Sequence, residues 1–352
     1  MYYLVFILLL IFSMREIYTG KTNKFIFYTV YFSLIFIAAF RFGQNGDYFA
    51  YGYLYNNENS FDKDIGYSLL TEWFSKMGIP YIAFVAFFGI VTMLFFYPFF
   101  ANTCKKSMIP LIIFYTYIFF IYPTGGIRQG FTLGFLVGIL FPLLVKKKYT
   151  TYYLLLILGC TFHLSMAICA LFPWILRLKI SKQYLWLSLL IFTLLIPLSQ
   201  YIGGFISSFM ERGSGYLEEN TYSTISIIVR ILIITSIIAI PKRYFTESTT
   251  KLRNILFAGY VFYALLSSSS LIAARIEVYY RIFEGIFLFI LLKDNPHSKF
   301  IKQFLILFIF MYIILWLKTL NVLADSIYDK QFNMFNYPFM SIFNIDKAIN
   351  LL

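Results

Sequence analysis

Apolar runs close to bilayer length recur along almost the whole chain, and no other feature of the sequence constrains its fold as strongly. Of 352 residues, 60% are hydrophobic and only 13% are charged, whereas a soluble domain is nearer a quarter charged. In hydrocarbon every backbone N–H and C=O must find a partner inside its own segment, so such runs read as helices. Candidate spans are Tyr2–Met14, Phe25–Phe40, Tyr81–Phe100, Met108–Tyr122, Gln129–Val145, Leu185–Ile206, Ile225–Ile240, Leu252–Leu271, Ile282–Leu292 and Phe300–Leu317. The first lacks a basic leader and a small-residue cleavage site, so it is read as a retained span rather than a signal peptide. The pattern predicts an all-α polytopic integral membrane protein with about 10–12 transmembrane helices. It is read as one transmembrane domain over residues 1–352, with outer loops at 41–80 and 207–224.

The short basic loops set the orientation. Arg15, Lys21 and Lys24, then Lys105 and Lys106, Lys146–Lys148, Lys242 with Arg243, Lys251 and Arg253, and Lys293 with Lys299 and Lys302 read as cytoplasmic. Arg41–Pro80 is rich in acidic residues and reads as outside, as does Ser207–Thr224 with Glu211, Glu218 and Glu219. The net charge of +13 therefore reports topology and contact with anionic membrane lipid before any nucleic acid.

One segment resists simple alternation. Lys146–Lys148 and Arg177–Lys182 both read as inside, yet only one span's length of chain separates them. Two half-helices meeting near Gly159-Cys160-Thr161-Phe162-His163 would return to the same side. Re-entrant backbone of this kind is tolerated where it is buried in protein or lines a cavity. The re-entrant hairpin over Tyr152–Leu176 is the favoured reading; the alternative is one full span that breaks the basic-inside pattern and moves a terminus across.

Pro123-Thr124-Gly125-Gly126-Ile127-Arg128-Gln129-Gly130 opens the run that ends at Val145, and glycine recurs at 126, 130, 134 and 138. At helical spacing this is a smooth stripe that a second helix can approach closely; part of a lipid groove is the other use open to it. The start of this helix combines free N–H groups, the positive dipole end, Arg128 and Gln129, which suits an anion. The plainer reading is an interhelical turn with an arginine reaching for headgroups.

Outside the spans, Tyr48, Tyr51, Tyr53 and Tyr55 follow Arg41-Phe42-Gly43-Gln44-Asn45-Gly46-Asp47, and Gly66–Phe74 reads as an amphipathic helix at the outer interface. Tyrosines beside carboxylates and amides suit sugar rings, although interfacial belts use the same residues. Near the other end, Arg275-Ile276-Glu277-Val278-Tyr279-Tyr280-Arg281 runs into Ile282-Phe283-Glu284. Arg281 reads as opening a helix. With Arg128 it forms a candidate pair for one dianionic group such as a diphosphate, since guanidinium forks match phosphate oxygens. Pairing of Glu277 with Arg281 along one helix is the plainer reading. His163, at the expected turn, is a candidate proton carrier or a buried structural histidine. Cys104, Cys160 and Cys169 form no metal or disulfide pattern, the two histidines are too few for a histidine-built metal site, and no cofactor motif is present.

The order Arg41-x-Gly43 with Asp47-Tyr48, then Asp64-x-Gly66-Tyr67, Ile127-Arg128-Gln129-Gly130, Phe162-His163-x-Ser165, Tyr280-Arg281 and Tyr337-Pro338 resembles the EpsG-like branch of the Wzy-type polysaccharide polymerases. The likeness spans nearly the whole chain; Tyr337-Pro338-Phe339 departs from an expected Tyr-Pro-Tyr. It implies a GT-C-like membrane glycosyltransferase of the bacterial inner membrane, working metal-independently on its outer face. Such enzymes join polyprenyl-diphosphate-linked oligosaccharide units into O-antigen, capsule or exopolysaccharide. A chain-length regulator and a flippase are the partners it implies. Arg128, Arg281, His163 and Asp47 become catalytic candidates, with His163 and Asp47 equal claimants as base. Arg41, Gln129, Gly126, Tyr48, Asp64, Tyr67, Arg275 and Tyr280 become substrate-binding candidates. A ligase using the same donor, a flippase and a membrane O-acyltransferase are the rivals. No second copy of the Gly-Gly-Ile-Arg-Gln pattern supports the repeated halves of a transporter.

Overall fold

The computed structural model describes residues 2–42, 46–56, 64–199, 201 and 224–326, and these are predominantly helical, with no strand among them. Among the described residues, four helices are long and apolar enough to cross a membrane: Tyr2–Thr19, Tyr81–Thr103, Ile127–Val145 and Lys299–Leu320. Shorter apolar helices lie at Lys24–Phe40, Met108–Phe119, Tyr149–Phe162, Leu164–Ile175 and Thr224–Ala239. The chain is a polytopic membrane protein. The larger number of spans expected from the sequence draws on the shorter helices as well as these four.

Contacts divide the chain into two compact units. The first comprises residues 1–167 with 295–352. Its helices are α1 (Tyr2–Thr19), α2 (Lys24–Phe40), α3 (Gly46–Asn56), α4 (Ile65–Lys76), α5 (Tyr81–Pro98), α6 (Met108–Ile113), α7 (Ile127–Phe135), α8 (Phe141–Val145), α9 (Tyr149–Cys160) and α16 (Lys299–Ser326). Wider π-helical turns carry α5 through Phe99–Thr103, α6 through Phe114–Phe119 and α7 through Leu136–Leu140. The second unit, residues 168–294, holds α10 (Phe172–Ile175), α11 (Lys182–Leu194), α12 (Thr224–Ala239), α13 (Glu247–Leu265), α14 (Ser270–Arg281) and α15 (Glu284–Asp294).

Short polar side chains start these helices. Asn23, Ser107, Ser181 and Ser269 each accept a backbone N–H of the first turn, and Thr246 with Thr249 forms a reciprocal capping box. Helix α6 receives a second cap from afar: the buried Glu16 carboxylate of α1 accepts Met108 N–H at 2.8 Å.

Close packing in the first unit runs through glycine. A Cβ on Gly89 would lie 2.6 Å from Ala38 O of α2. One on Gly134 would lie 2.9 Å from Thr92 O of α5, and one on Gly138 would overlap Phe95 O outright. Helix α5 thus fills the glycine stripe of α7, so at Gly134 and Gly138 the stripe packs helix against helix as small-residue faces do in membranes. A Cβ on Gly130 would instead meet the preceding turn, 2.6 Å from Tyr122 O, while one on Gly126 would meet nothing closer than 3.8 Å.

Two expectations bear directly on the site. Helix α9 breaks at Thr161–His163, and a 3-10 segment over Leu164–Leu171 leads into α10. The break falls in the stretch the sequence marked for a re-entrant tip. Arg281, read as a helix opener, is instead the last residue of α14; Ile282 and Phe283 turn, and Glu284 begins α15. No glycine or proline signals this turn. An Arg281–Glu284 fork spans it. The outer-loop helix expected at Gly66–Phe74 is α4. Residues 207–223 and Tyr337–Pro338 lie outside the described residues.

Candidate active site

Asp64 is the N-cap of α4, but its carboxylate does not cap. It turns away to Arg128, the second residue of α7, and the two form an ion pair through Arg128 Nη1 and Asp64 Oδ2. The same Oδ2 lies 3.7 Å from His163 Nδ1, a charge contact longer than a hydrogen bond. Three residues from three sequence motifs thus meet on one carboxylate oxygen.

Local geometry explains the meeting. Gly66 N–H donates to Thr161 O at 2.9 Å, tying the first turn of α4 to the turn that carries His163. Any Cβ at Gly66 would overlap Thr161 Oγ1 and crowd the Phe162 ring, so only glycine permits this approach. Phe162 then packs on Phe131 of α7, centroids 4.6 Å apart. Gly126 caps α7 in an extended turn, and Gly130 N–H returns to Gly126 O at 2.9 Å.

Aromatic rings support the arginine. Its guanidinium lies over Tyr51 at 5.2 Å and Tyr67 at 5.7 Å, and Nε donates to the Tyr51 hydroxyl at 3.4 Å. Tyr51 and Tyr67 belong to a buried cluster with Tyr55, Phe74, Phe84, Phe88, Ile127 and Phe131. Burial pushes the Tyr67 hydroxyl well above its ordinary pKa, with the Arg128 charge opposing the shift, so it stays a neutral donor. The side chains of Arg128 and His163 are 23% and 18% exposed, against 7% for Asp64, but both ring nitrogens of His163 are buried. The arrangement presents a cation at a helix start, a histidine beside a carboxylate, and ring faces next to them.

The other candidates separate. Gln129 is buried one residue beyond Arg128. Arg41 and Tyr48 are buried at the end of α2 and in α3. Asp47 falls within α3, but its side chain lies outside the described residues, as do Gly43–Asn45. In the second unit Arg275 is half-buried on α14. Tyr280 is a packing residue: its ring meets Phe172 at 5.0 Å and its Cβ fills the notch left by Gly259.

Arg281 belongs to a buried ionic network of the second unit. It donates to Glu284 from Nε at 2.8 Å and from Nη2 at 3.3 Å, and its Nη1 lies 4.0 Å from Glu277. Glu277 also accepts from Arg230 Nε at 2.5 Å, and the Arg230 guanidinium rests on the Tyr263 ring at 3.9 Å. Arg230 escaped the sequence reading. Its signal was available, since it is the only charge in the apolar run Ile225–Ile240. Among the described residues no group of three acidic, histidine or cysteine side chains is arranged to hold a metal ion.

A model of the EpsG family matches residues 24–339. The chain belongs to the EpsG family. No curated protein and no solved structure matches it. Membership in the EpsG family carries a polysaccharide-polymerase or related membrane function with a lipid-linked oligosaccharide as substrate. The matched range contains Asp64, Gly66, Arg128 and His163, the residues that converge in the first unit.

Proposed function

We propose that this EpsG-family chain is a GT-C-like polymerase of polyprenyl-diphosphate-linked oligosaccharide units, acting at the outer face of the bacterial inner membrane. The observation that carries this reading is the convergence of Arg128 and His163 on Asp64 Oδ2 beside an aromatic shell. In the transfer, an acceptor hydroxyl oxygen attacks the anomeric carbon of the donor. The bond from that carbon to the diphosphate oxygen breaks, and its electron pair leaves on the diphosphate. Arg128, at the positive end of α7, meets the growing negative charge. His163 takes the acceptor proton on Nε2, while Asp64 faces Nδ1 and steadies the cation that forms. Asp64 thereby serves as a positioning residue. The tyrosine and phenylalanine faces hold sugar rings.

Two measurements test this. A strain lacking the gene is expected to display single repeat units in place of a polysaccharide ladder; intact polymer left on its lipid carrier means a ligase, and loss of all outward units means a flippase. Arg128→Lys keeps the charge but loses the fork. It is expected to lower ladder formation, normalised to protein amount, about a hundredfold, equivalent to roughly 3 kcal/mol. Normal ladders from well-accumulated Arg128→Lys would remove Arg128 from the reaction.

A further inference from the structure

Arg41 is a buried cation without a counter-charge among the described residues. It ends α2 with 2% of its surface exposed, one of the largest fully buried side chains of the chain. Its Nη1 donates to Ala38 O at 2.6 Å. The opposite edge, Nε with Nη2, is the one that grips two oxygens of a carboxylate or phosphate side by side. Nε on that edge is buried and makes no hydrogen bond. A second orphan accompanies it: the Tyr48 hydroxyl is also buried without a hydrogen bond, although Tyr48 O accepts from Tyr81 Oη at 2.8 Å.

The surroundings are aromatic rather than acidic. Tyr81, Tyr48, Tyr2 and Tyr67 stand near enough to Arg41 to feel its charge. Burial pulls the guanidinium below its ordinary pKa, as expected for a cation lacking a carboxylate. Burial likewise pushes the Tyr48 hydroxyl up to about 12, with the Arg41 charge opposing, so Tyr48 remains a donor. An unpaired buried charge is costly to keep, and a bound anion removes that cost. Tyr67 links this place to the reaction site, because it also lies under Arg128.

We infer that Arg41 and Tyr48 form a second oxyanion subsite of the first unit, which takes phosphate oxygens of the lipid-linked substrate. The inference rests on the polymerase reading for its ligand, but not for its geometry.

The test uses the full chain purified in detergent, with farnesyl diphosphate, inorganic pyrophosphate and farnesol as probes. Farnesyl diphosphate should bind wild type, and Arg41→Lys should weaken it by about tenfold or more, the loss expected when a charged bidentate contact becomes a single one. Tyr48→Phe keeps the ring and should weaken binding by roughly threefold to tenfold. Farnesol binding should not respond to either change. The same Arg41 dependence for inorganic pyrophosphate means that a free phosphate suffices; dependence for farnesyl diphosphate alone means that the lipid-borne phosphate is required. Equal affinity of wild type and Arg41→Lys, or no phosphorylated probe binding to wild type, overturns the subsite. So does a purely internal role, in which Asp47→Asn lowers protein amount as much as Arg41→Gln and both leave probe affinity intact. Failure here differs from failure of the polymerase reading. If Arg128→Lys abolishes ladders while Arg41→Lys binds normally, only the subsite falls. If ladders persist without the gene while Arg41 dependence holds, only the polymerase reading falls.

Discussion

The two units each hold a group of arginines and carboxylates, and the groups differ in charge balance and in side-chain exposure. In the second unit Arg230, Glu277, Arg281 and Glu284 are all buried, two cations against two anions. In the first, Arg128 and His163 both face the carboxylate of Asp64, with side chains 23% and 18% exposed and the His163 ring nitrogens buried. The balanced network joins α12, α14 and the turn into α15, and its four charged side chains line a small cavity together with Tyr260. Arg128 is the partly exposed cation of the first group. Ionic groups in membrane segments are functional candidates by default; the comparison suggests which of these two groups acts on substrate.

The strongest way to break this contrast is to remove one partner of the buried network. Arg230→Ala leaves Glu277 buried with its closer cation gone, an uncompensated charge of the kind that costs about 3–5 kcal/mol. Membrane-inserted protein should fall severely. A paired Arg230→Met and Glu277→Leu change should recover much of it, because no charge is then left stranded. Well-accumulated Arg230→Ala that has lost only its ladders would instead make the buried network a reaction site.

The Asp64 group should behave in the reverse way. Asp64→Asn preserves shape and leaves Arg128 with its partial access to water and its ring contacts, so protein amount should stay near normal. Ladder formation per molecule should fall about a hundredfold, as His163 loses the charge that steadies its protonated form. If Asp64→Asn reduces protein amount as severely as Arg230→Ala, Asp64 is a structural residue and the contrast collapses.

Much of this was legible in the sequence, for identifiable reasons. Length and apolarity of the runs dictate a helical membrane protein, and Gly159–His163 marks the break in α9. Asp64, Arg128 and His163 each stand in a recognisable motif. Their shared oxygen was not legible, because it depends on Gly66 meeting Thr161 across distant stretches of chain. Arg281 illustrates the opposite limit: its helix ends without glycine or proline, so local propensity gave no warning and the Arg281–Glu284 fork had to be seen. The stripe from Gly126 to Gly138 was open to two uses, and the carbonyls of Thr92 and Phe95 decide for packing at its inner half.

The smallest effect is expected on the helix that Asp64 begins. Glu72 and Lys76 of α4 form an ion pair at 2.5 Å, as short as that between Arg230 and Glu277. Distance therefore does not separate the two pairs; exposure does, since the α4 side chains are 57% and 70% accessible. Water and salt screen such a pair, and ordering two long side chains offsets what attraction remains, so an exposed pair at this spacing contributes roughly 0.3–0.5 kcal/mol. Glu72→Gln should shift the melting temperature by no more than about 2 °C and leave ladders unchanged. Raised ionic strength should reduce even that difference, because exposed charges are screened while buried ones are not. Loss of ladders in Glu72→Gln would carry the functional surface of α4 well beyond Asp64, and the site would then extend along the exposed face of this helix.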